Sequence, residues 1–297
     1  MTDLQKALRK NNELYEQSQM YKKLYNLLFK RHLYGLTSPI RILPDFIIIG
    51  AGRCGTTSLY YDICEHPCVL KAAYDELGFF DDNYHLGLNW YRSLFPTSFK
   101  KNQIKTQTGF AITGEDTPSY IRRPWTATRI LSSLPKIKLV VILRNPVDRT
   151  YSHYHLGIRS GNEKHSFEIV IKNDMEFLED KKHEKNNKSE YFESTVEKSY
   201  LARGFYAEQL QIWMNKFPRE QLLIISTEDL AEEPHDTLTN VFSFLGLPKH
   251  QIRKLHKQKA SKYPPMNPDT RKMLIEYFKP HNEKLYSLLG RRFDWDR

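Results

Sequence analysis

The sequence contains few cysteines, no long apolar run and no internal repeat. Three cysteines among 297 residues do not build a disulfide framework, which indicates a reducing compartment. A transmembrane helix needs about 20 consecutive apolar residues, and a signal peptide needs an apolar centre. Both are missing, so we expect a cytoplasmic protein without a transmembrane segment. We expect two parts: an N-terminal amphipathic helical extension (residues 1–40) and one larger domain (residues 41–297).

Charge is unevenly balanced, with 45 Lys and Arg against 35 Asp and Glu and a formal net charge of +10. The excess indicates either an anionic partner, such as a phosphorylated cofactor, an acidic polymer or a lipid headgroup, or a basic solvated surface. Leucines and tyrosines recur near helical spacing through the first 30 residues, which predicts an amphipathic helix that packs on the main domain. Pairing of this helix in a homo-oligomer, or peripheral contact with a membrane, stays open.

Four short apolar runs bounded by turn residues predict buried strands of a parallel sheet. We predict strands at residues 46–49, 110–113, 139–143 and 222–225, and helices at residues 57–64, 125–133, 147–157, 200–217, 234–245 and 270–289. A highly charged stretch at residues 180–190 predicts a solvated loop. The alternation predicts an α/β fold with a P-loop-like, doubly wound parallel sheet flanked by helices. Ligands of such sheets bind at the carboxyl ends of the strands.

A phosphate-binding loop is predicted at residues 50–58, between the first strand and the first helix. Gly50, Gly52 and Gly55 allow positive-φ turns that aim backbone N–H groups inward. The helix N-terminus adds its dipole and its N–H donors, and Arg53 adds a cation with fixed donor geometry. Three hydroxyl donors follow: Thr56, Thr57 and Ser58.

The spacing of Gly50 and Gly55 matches a Walker A loop, but two features of magnesium-nucleotide chemistry are missing. Thr56 stands where a Walker A loop has lysine. Arg144 ends the third predicted strand, where a Walker B aspartate would hold Mg²⁺. The sequence therefore favours a phosphate site without a metal over a nucleotide-dependent kinase.

A second anion site is predicted at Arg144 and Ser152, which lie eight residues apart across a strand-to-helix junction. The third predicted strand is expected to lie beside the first, so both anion sites would open on the same edge of the sheet. Two phosphate-sized sites at one edge suit a nucleotide that is phosphorylated at both ends.

The segment IIIGAGRCGTTSLY resembles the 5′-phosphosulfate loop of sulfotransferases that use 3′-phosphoadenosine 5′-phosphosulfate (PAPS), and VVILRNPVDRTYSHY resembles their 3′-phosphate site. Further similarity to the heparan-sulfate type, including bacterial relatives, runs from about residue 44 to residue 295 and includes DELGFFDD, GEDTPSY and RGFYAEQLQIW. The resemblance implies PAPS as cofactor, no metal, no nucleic-acid partner, and a hydroxyl of a carbohydrate or glycoconjugate as acceptor. A lipid or small-molecule alcohol as acceptor, or a non-catalytic module that binds anionic polymers, stays open.

The same resemblance implies the site residues. The cofactor-binding residues would be Arg53, Cys54, Gly55, Thr56, Thr57, Ser58, Arg144, Ser152, Lys259, Ala260, Ser261, Lys262 and Tyr263. Arg53 stands where many members carry a catalytic lysine, and arginine does not give up its proton. Its implied role is therefore that of a cation that stabilises the leaving oxygen.

Glu76 matches the general base of the family, which takes the proton of the acceptor hydroxyl. Alternative bases are Asp75, Glu115, Asp116, His85 and His153. Asp116 also replaces a lysine that helps animal 3-O-type enzymes to handle an anionic sugar, which argues against a heparan-like acceptor. Arg122 and Arg123 are either contacts for an anionic acceptor or solvated surface residues.

Overall fold

The computed structural model describes residues 36–181, 192–252, 255–256 and 263–295. Most of the predicted N-terminal extension and residues 182–190 of the predicted charged loop therefore lie outside the described residues. The same holds for four predicted cofactor contacts: Lys259, Ala260, Ser261 and Lys262. Close to the first described residue, the chain forms a 3-10 helix (Ser38–Ile40). The following Arg41 donates hydrogen bonds to Thr37 Oγ1 (2.7 Å) and Phe95 O (2.6 Å), which tie this segment to the domain.

Within the described residues, the strands are β1 (Phe46–Gly50), β2 (Val69–Leu70), β3 (Ile112–Asp116), β4 (Lys138–Leu143) and β5 (Leu222–Ser226). They form one sheet in the order β2-β3-β1-β4-β5, and all neighbouring pairs are parallel. The central strand β1 is buried along its whole length, as expected for an unbroken apolar run covered on both faces. The predicted parallel sheet is confirmed, as is the predicted contact between the first and third predicted strands.

Helices connect the strands and flank the sheet. Within the described residues they are α1 (Thr56–Cys64), α2 (Gly87–Ser93), α3 (Ser98–Thr108), α4 (Pro124–Ser133), α5 (Pro146–Arg159), α6 (Phe167–Lys181), α7 (Tyr206–Met214), α8 (Thr227–Glu232), α9 (Pro234–Leu245) and α10 (Pro268–Leu289). Helix α5 begins directly after β4 because the Asn145 side chain accepts a hydrogen bond from Val147 N (3.0 Å) and Pro146 occupies the first turn. This start leaves Arg144 at the strand-to-helix junction.

Strand β3 was predicted too early in the chain, at residues 110–113. Its last two residues are carboxylates, Glu115 and Asp116, which end the apolar pattern although both side chains are buried. Gly114 is required there because an added Cβ would lie 2.4 Å from the ring of Phe46 on β1. Strand β2 was missed because two residues carry no periodic signal.

The helix predicted at residues 200–217 is shorter, since α7 begins at Tyr206. The backbone before it bonds to side chains at two positions and then forms a 3-10 helix (Ala202–Gly204) instead of an α-helix. Tyr200 O accepts from Arg149 Nη1 (2.7 Å), and Leu201 N donates to Asp174 Oδ2 (2.8 Å). The charged stretch predicted as a loop also differs, because its first two residues belong to α6.

Candidate functional site

A cleft of about 900 Å³ opens at the carboxyl ends of the strands. Its lining includes residues within two positions of the ends of four strands: Ala51 after β1, Pro118 after β3, Arg144 after β4 and Thr227 after β5. Strand order reverses around β1, and the crevice at such a reversal is where open α/β sheets bind ligands. The topology alone therefore marks this cleft as the candidate site.

The loop between β1 and α1 forms one end of the cleft. Gly55 has φ +89° and caps α1, whereas the other residue with positive φ in the loop is Arg53 (+72°). The prediction of positive φ was wrong for Gly50 and Gly52. Gly50 is required for a different reason, because an added Cβ would lie 2.4 Å from Ile121 Cγ2. The loop thus places an arginine in the left-handed region at the cost of some backbone strain.

The first turn of α1 is arranged to receive an anion. Its cap, Gly55, has no side chain that could bond the helical N–H groups, and the turn contains no acidic residue. Thr227 Oγ1 donates to Cys54 O (2.7 Å) and to Leu143 O (2.9 Å), which fixes the loop against β4 and the start of α8. A rigid helix N-terminus with N–H donors and a positive dipole end binds phosphate.

Arg53 joins the two predicted anion sites. Its Nε and Nη2 lie 3.2 and 3.0 Å from Ser152 Oγ on α5. Arg144 Nη1 in turn lies 3.5 Å from Arg53 O. Burial lowers the pKa of Arg53, and the charges of Arg159 and Arg144 lower it further. An anionic ligand would relieve this crowding of cations.

The structure brings the described members of the predicted site together in this single cleft. Those that line it are Arg53, Cys54, Gly55, Thr56, Thr57, Ser58, Glu76, Arg144, Ser152 and Tyr263. Tyr263 stacks on His155 of α5 (ring centroids 4.2 Å apart), and the following Pro264 O accepts a hydrogen bond from Tyr151 (2.9 Å). The chain thus returns to the cleft at Tyr263, directly after the predicted contacts at residues 259–262.

Glu76 opens into the cleft from the loop after β2. Its backbone has φ +51°, and its N–H donates to Asp116 O at the end of β3 (3.0 Å). Packed surroundings raise the pKa of Glu76, and the charges of Asp75 and Asp81 raise it further. Arg53 acts in the opposite direction, so the carboxylate lies within electrostatic reach of the loop cation.

The alternative bases are less well placed. Glu115 and Asp116 are buried and do not line the cleft, and neither carboxylate oxygen of Asp116 has a hydrogen-bond partner among the described residues. Asp75 accepts hydrogen bonds from Tyr61 OH (2.9 and 3.0 Å), and His85 is exposed away from the cleft. His153 lines the cleft, but burial and neighbouring arginines lower its pKa to about 2.

Sequence reasoning missed three arginines that line the cleft: Arg149, Arg159 and Arg203. Arg149 is 2% exposed and donates to Gly52 O (3.2 Å), so it supports the phosphate-binding loop from beneath. A signal for it exists, because Arg149, Ser152 and His153 share one face of α5 at helical spacing. Arg203 begins the segment RGFYAEQLQIW that carries the family resemblance, but helical spacing gives no signal for it, since the other arginines of the cleft are distant in sequence.

The fold and the cleft define an α/β protein with a parallel sheet and a cation-rich loop between its central strand and α1. The model of the sulfotransferase domain family matches residues 43–288, so the chain belongs to that family. This finding confirms the family resemblance seen in the sequence.

Relatives support the same membership. The chain is 28% identical to the membrane-associated sulfotransferase kil1 of Dictyostelium discoideum, over 85% of this chain and 66% of the relative. It is 31% identical to mouse heparan sulfate glucosamine 3-O-sulfotransferase 3B1, over 86% of this chain and 65% of the relative. It is 30% identical to human bifunctional heparan sulfate N-deacetylase/N-sulfotransferase 3, over 83% of this chain and 30% of the relative. The chain thus spans about two thirds of the length of the first two relatives and less than one third of the length of the third.

A crystal structure of a sulfotransferase from Alicyclobacillus acidocaldarius has the same fold, with a TM-score of 0.64 and 27% identity over 86% of this chain and all of that one. In the described part of the chain, no helix combines the length and the hydropathy of a membrane span. One relative is named membrane-associated, so the cytoplasmic location stays a prediction.

Proposed function

We propose that this chain transfers the sulfuryl group of PAPS to a hydroxyl of a carbohydrate or glycoconjugate, with Glu76 as general base. One observation carries the proposal: a helix N-terminus, the pair of Arg53 and Ser152, and the carboxylate of Glu76 share a single cleft. The names of the mouse and human relatives, which refer to heparan sulfate, support a carbohydrate acceptor.

The cleft residues fit the two anionic ends of PAPS. Six arginines line the cleft against two carboxylates, Asp62 and Glu76, among the described residues. The loop after β1 and the first turn of α1 would hold the 5′-phosphosulfate, and Arg144 with Ser152 would hold the 3′-phosphate. Tyr263, anchored on α5, would carry the predicted contacts at residues 259–262 to the same ligand.

The chemistry follows from these positions. As the acceptor oxygen bonds to sulfur, its proton passes to Glu76, and the bond between sulfur and the phosphate oxygen breaks. Arg53 and the N-terminus of α1 stabilise the negative charge that appears on this leaving oxygen. A raised pKa suits Glu76 to its role, because a base is most effective when its pKa lies near the working pH.

A transfer screen tests the proposal. The full chain is incubated with ³⁵S-labelled PAPS and a panel that contains an N-sulfated heparosan oligosaccharide, a glycolipid and a small alcohol. We expect label in the carbohydrate, and calorimetry should detect binding of the product 3′-phosphoadenosine 5′-phosphate (PAP). Label in the lipid or the alcohol alone would reassign the acceptor.

Two results would overturn the proposal itself. Magnesium-dependent ATP turnover without PAP binding would indicate a kinase. Salt-sensitive binding of heparin that is unaffected by Arg53→Ala, again without PAP binding, would indicate a module that binds anionic polymers.

A further inference from the structure

A second group of basic residues lines the cleft beyond the predicted donor contacts. It consists of Arg122, Arg149, His153 and Arg203, and we refer to these four residues as the basic cluster. They come from three separate parts of the chain: the segment after β3, helix α5 and the segment before α7. The implied PAPS ligands include none of them, so the cluster is available for another role.

The ring of His153 links two guanidinium groups. Its Nδ1 lies 3.3 Å from Arg149 Nη2, and its Nε2 lies 3.2 Å from Arg203 Nη1. The low pKa of His153 keeps the ring neutral, and a neutral imidazole has one acceptor nitrogen. The ring therefore accepts from one guanidinium and turns its own N–H towards the other. One of the two arginines is left without a good acceptor at this point.

Negative charge is scarce around the cluster. Glu197 accepts hydrogen bonds from Arg122 and Arg203, and also from Arg123 outside the cluster (2.8 Å to Nε). Arg149 is 2% exposed, and its other hydrogen bonds go to two uncharged backbone carbonyls. Thus Glu197 contacts two of the three guanidinium groups of the cluster, and Arg149 has no hydrogen bond to a carboxylate among the described residues.

Burial of the cluster and this crowding lower the pKa values of its three arginines. Burial and the charges of Arg122 and Arg149 lower the pKa of Arg203 to about 9. Burial also lowers the pKa values of Arg122 and Arg149. Cations removed from water are costly unless an anion pairs with them, so an anionic ligand group would stabilise the cluster.

Arg122 belongs to the wall that carries Glu76, the proposed general base. The segment 117–122, which ends at Arg122, packs against the loop that contains Glu76. Gly78 N donates to Thr117 Oγ1 (3.3 Å), and Ser119 Oγ donates to Asp81 Oδ2 (2.5 Å). Pro118 and Ser119 also line the cleft. A ligand group at Arg122 is therefore on the acceptor side of the proposed reaction.

We propose that Arg122 and Arg203, supported by Arg149 and His153, form a subsite for an anionic group of the acceptor, either a carboxylate or a sulfate. Both groups match the forked donors of a guanidinium. Arg203 also donates to Val196 O (3.1 Å) and Glu197 O (2.5 Å). Arg122, within the described residues, donates a hydrogen bond through Nη1 alone and so offers the better fork. Side chains of Arg122 and Arg203 remain 16% and 21% exposed, which leaves them accessible from the cleft. The inference rests on the proposed function and narrows its acceptor to an acidic carbohydrate whose charged group lies away from the attacked hydroxyl.

Matched acceptors test the subsite. The probes are an unsulfated heparosan hexasaccharide, its carboxyl-reduced counterpart and its N-sulfated counterpart. For the wild-type chain we expect KM to be at least 10-fold higher for the carboxyl-reduced hexasaccharide than for the native one. A lower KM for the N-sulfated form alone would assign the subsite to sulfate. Equal KM values for all three probes would overturn the proposal.

Variants locate the effect. Arg122→Gln should raise KM for the charged probes about 10-fold and leave KM for the carboxyl-reduced probe unchanged. The Kd of PAP and kcat should stay within twofold. Arg292→Gln, in an exposed ion pair with Glu283, is the control and should change neither. An equal rise of KM on all probes would show a structural role of Arg122 and overturn the proposal.

Glu197→Gln should change KM for the charged probes in the opposite direction to Arg122→Gln. This variant keeps all the arginines of the cluster. It removes the counter-charge but keeps a side chain that accepts hydrogen bonds, so KM for the charged probes should fall. A rise in KM for these probes would contradict the subsite. If the wild-type chain fails to bind PAP, the proposed function itself fails. If it binds PAP and transfers sulfate without a preference for charged acceptors, only the subsite proposal fails.

Discussion

The ends of the strands supply different groups to the two sides of the cleft, although Arg122 of the basic cluster lies on the side of the carboxylates. Arginines follow β1 and β4, whereas carboxylates follow β2 and end β3. On the basic side, burial and neighbouring guanidinium groups lower the pKa of His153 to about 2. On the acidic side, burial raises the pKa of Glu115 to about 7, and burial with nearby carboxylates raises that of Asp116 to about 8. Each side thus disfavours the charged form of its own groups.

The proposed sulfuryl transfer needs both sides of the cleft. The leaving phosphate gains negative charge at the moment when the acceptor hydroxyl loses a proton. In the proposed reaction, the basic side would stabilise the new charge, and Glu76, a carboxylate with a raised pKa, would take the proton. Neither side would support the reaction alone.

Reversing one charge on the basic side should have the largest effect on binding. Arg144→Glu should raise the Kd of PAP about 100-fold, because hydrogen bonds to charged groups contribute about 1.5–3 kcal/mol and the new carboxylate repels the ligand. Isothermal titration calorimetry measures the change, with Arg292→Glu at an exposed position as control. Undiminished PAP binding would remove Arg144 from the donor site.

On the acidic side, the comparison predicts a pH effect. Glu76 accepts a proton only when ionised, so kcat/KM should rise with pH through its raised pKa. Asp75→Asn removes a charge that raises this pKa, so the rise in kcat/KM should move to lower pH. The pH profile of kcat/KM provides the measurement, and Glu283→Gln, exposed and distant, should leave it unchanged. A pH profile of kcat/KM that is unaltered by Asp75→Asn would mean that the ionisation of Glu76 does not cause the rise of kcat/KM with pH.

Buried Asp116 should make stability depend on pH. Its folded pKa of about 8 lies above the ordinary value of 3.8, so the folded state keeps a proton that the unfolded state releases. Stability is therefore lost as pH rises between these values, by up to about 1.4 kcal/mol per pH unit. Asp116→Asn should flatten this decline in urea unfolding at pH 5 to 8. An equally steep decline in the variant would contradict the assignment.

Some residues of the candidate site could be predicted from the sequence, and others could not. Residues 50–58, Arg144 and Ser152 were predictable because each motif is local and the parallel topology brings both to one edge. Arg122 was a candidate contact for an anionic acceptor, but its grouping with Arg203 and Glu197 was not predictable, because the hydrogen bond from Arg122 to Glu197 joins segments 75 residues apart and follows no period. The conformations of Gly50 and Gly52 were also not predictable, since a glycine in sequence does not distinguish positive φ from close packing.

The smallest expected effect concerns the loop backbone. Gly55→Ala forces a side chain into φ +89° and should reduce the free energy of unfolding by about 1–2 kcal/mol. Gly52→Ala is the matched control, because its φ is not positive and an added Cβ would meet nothing within 4 Å. Thermal unfolding of both variants tests this. Equal destabilisation by the two alanines would contradict the loop geometry.

The most direct test of the account is Glu76→Gln, with PAP binding and sulfuryl transfer measured on the same preparation. The substitution keeps the shape of the side chain and removes its ability to take a proton. We predict a Kd for PAP within twofold of wild type and a kcat lower by about 10²- to 10⁴-fold, the usual contribution of a general base. Transfer at the wild-type rate by a variant that binds PAP normally would contradict the account.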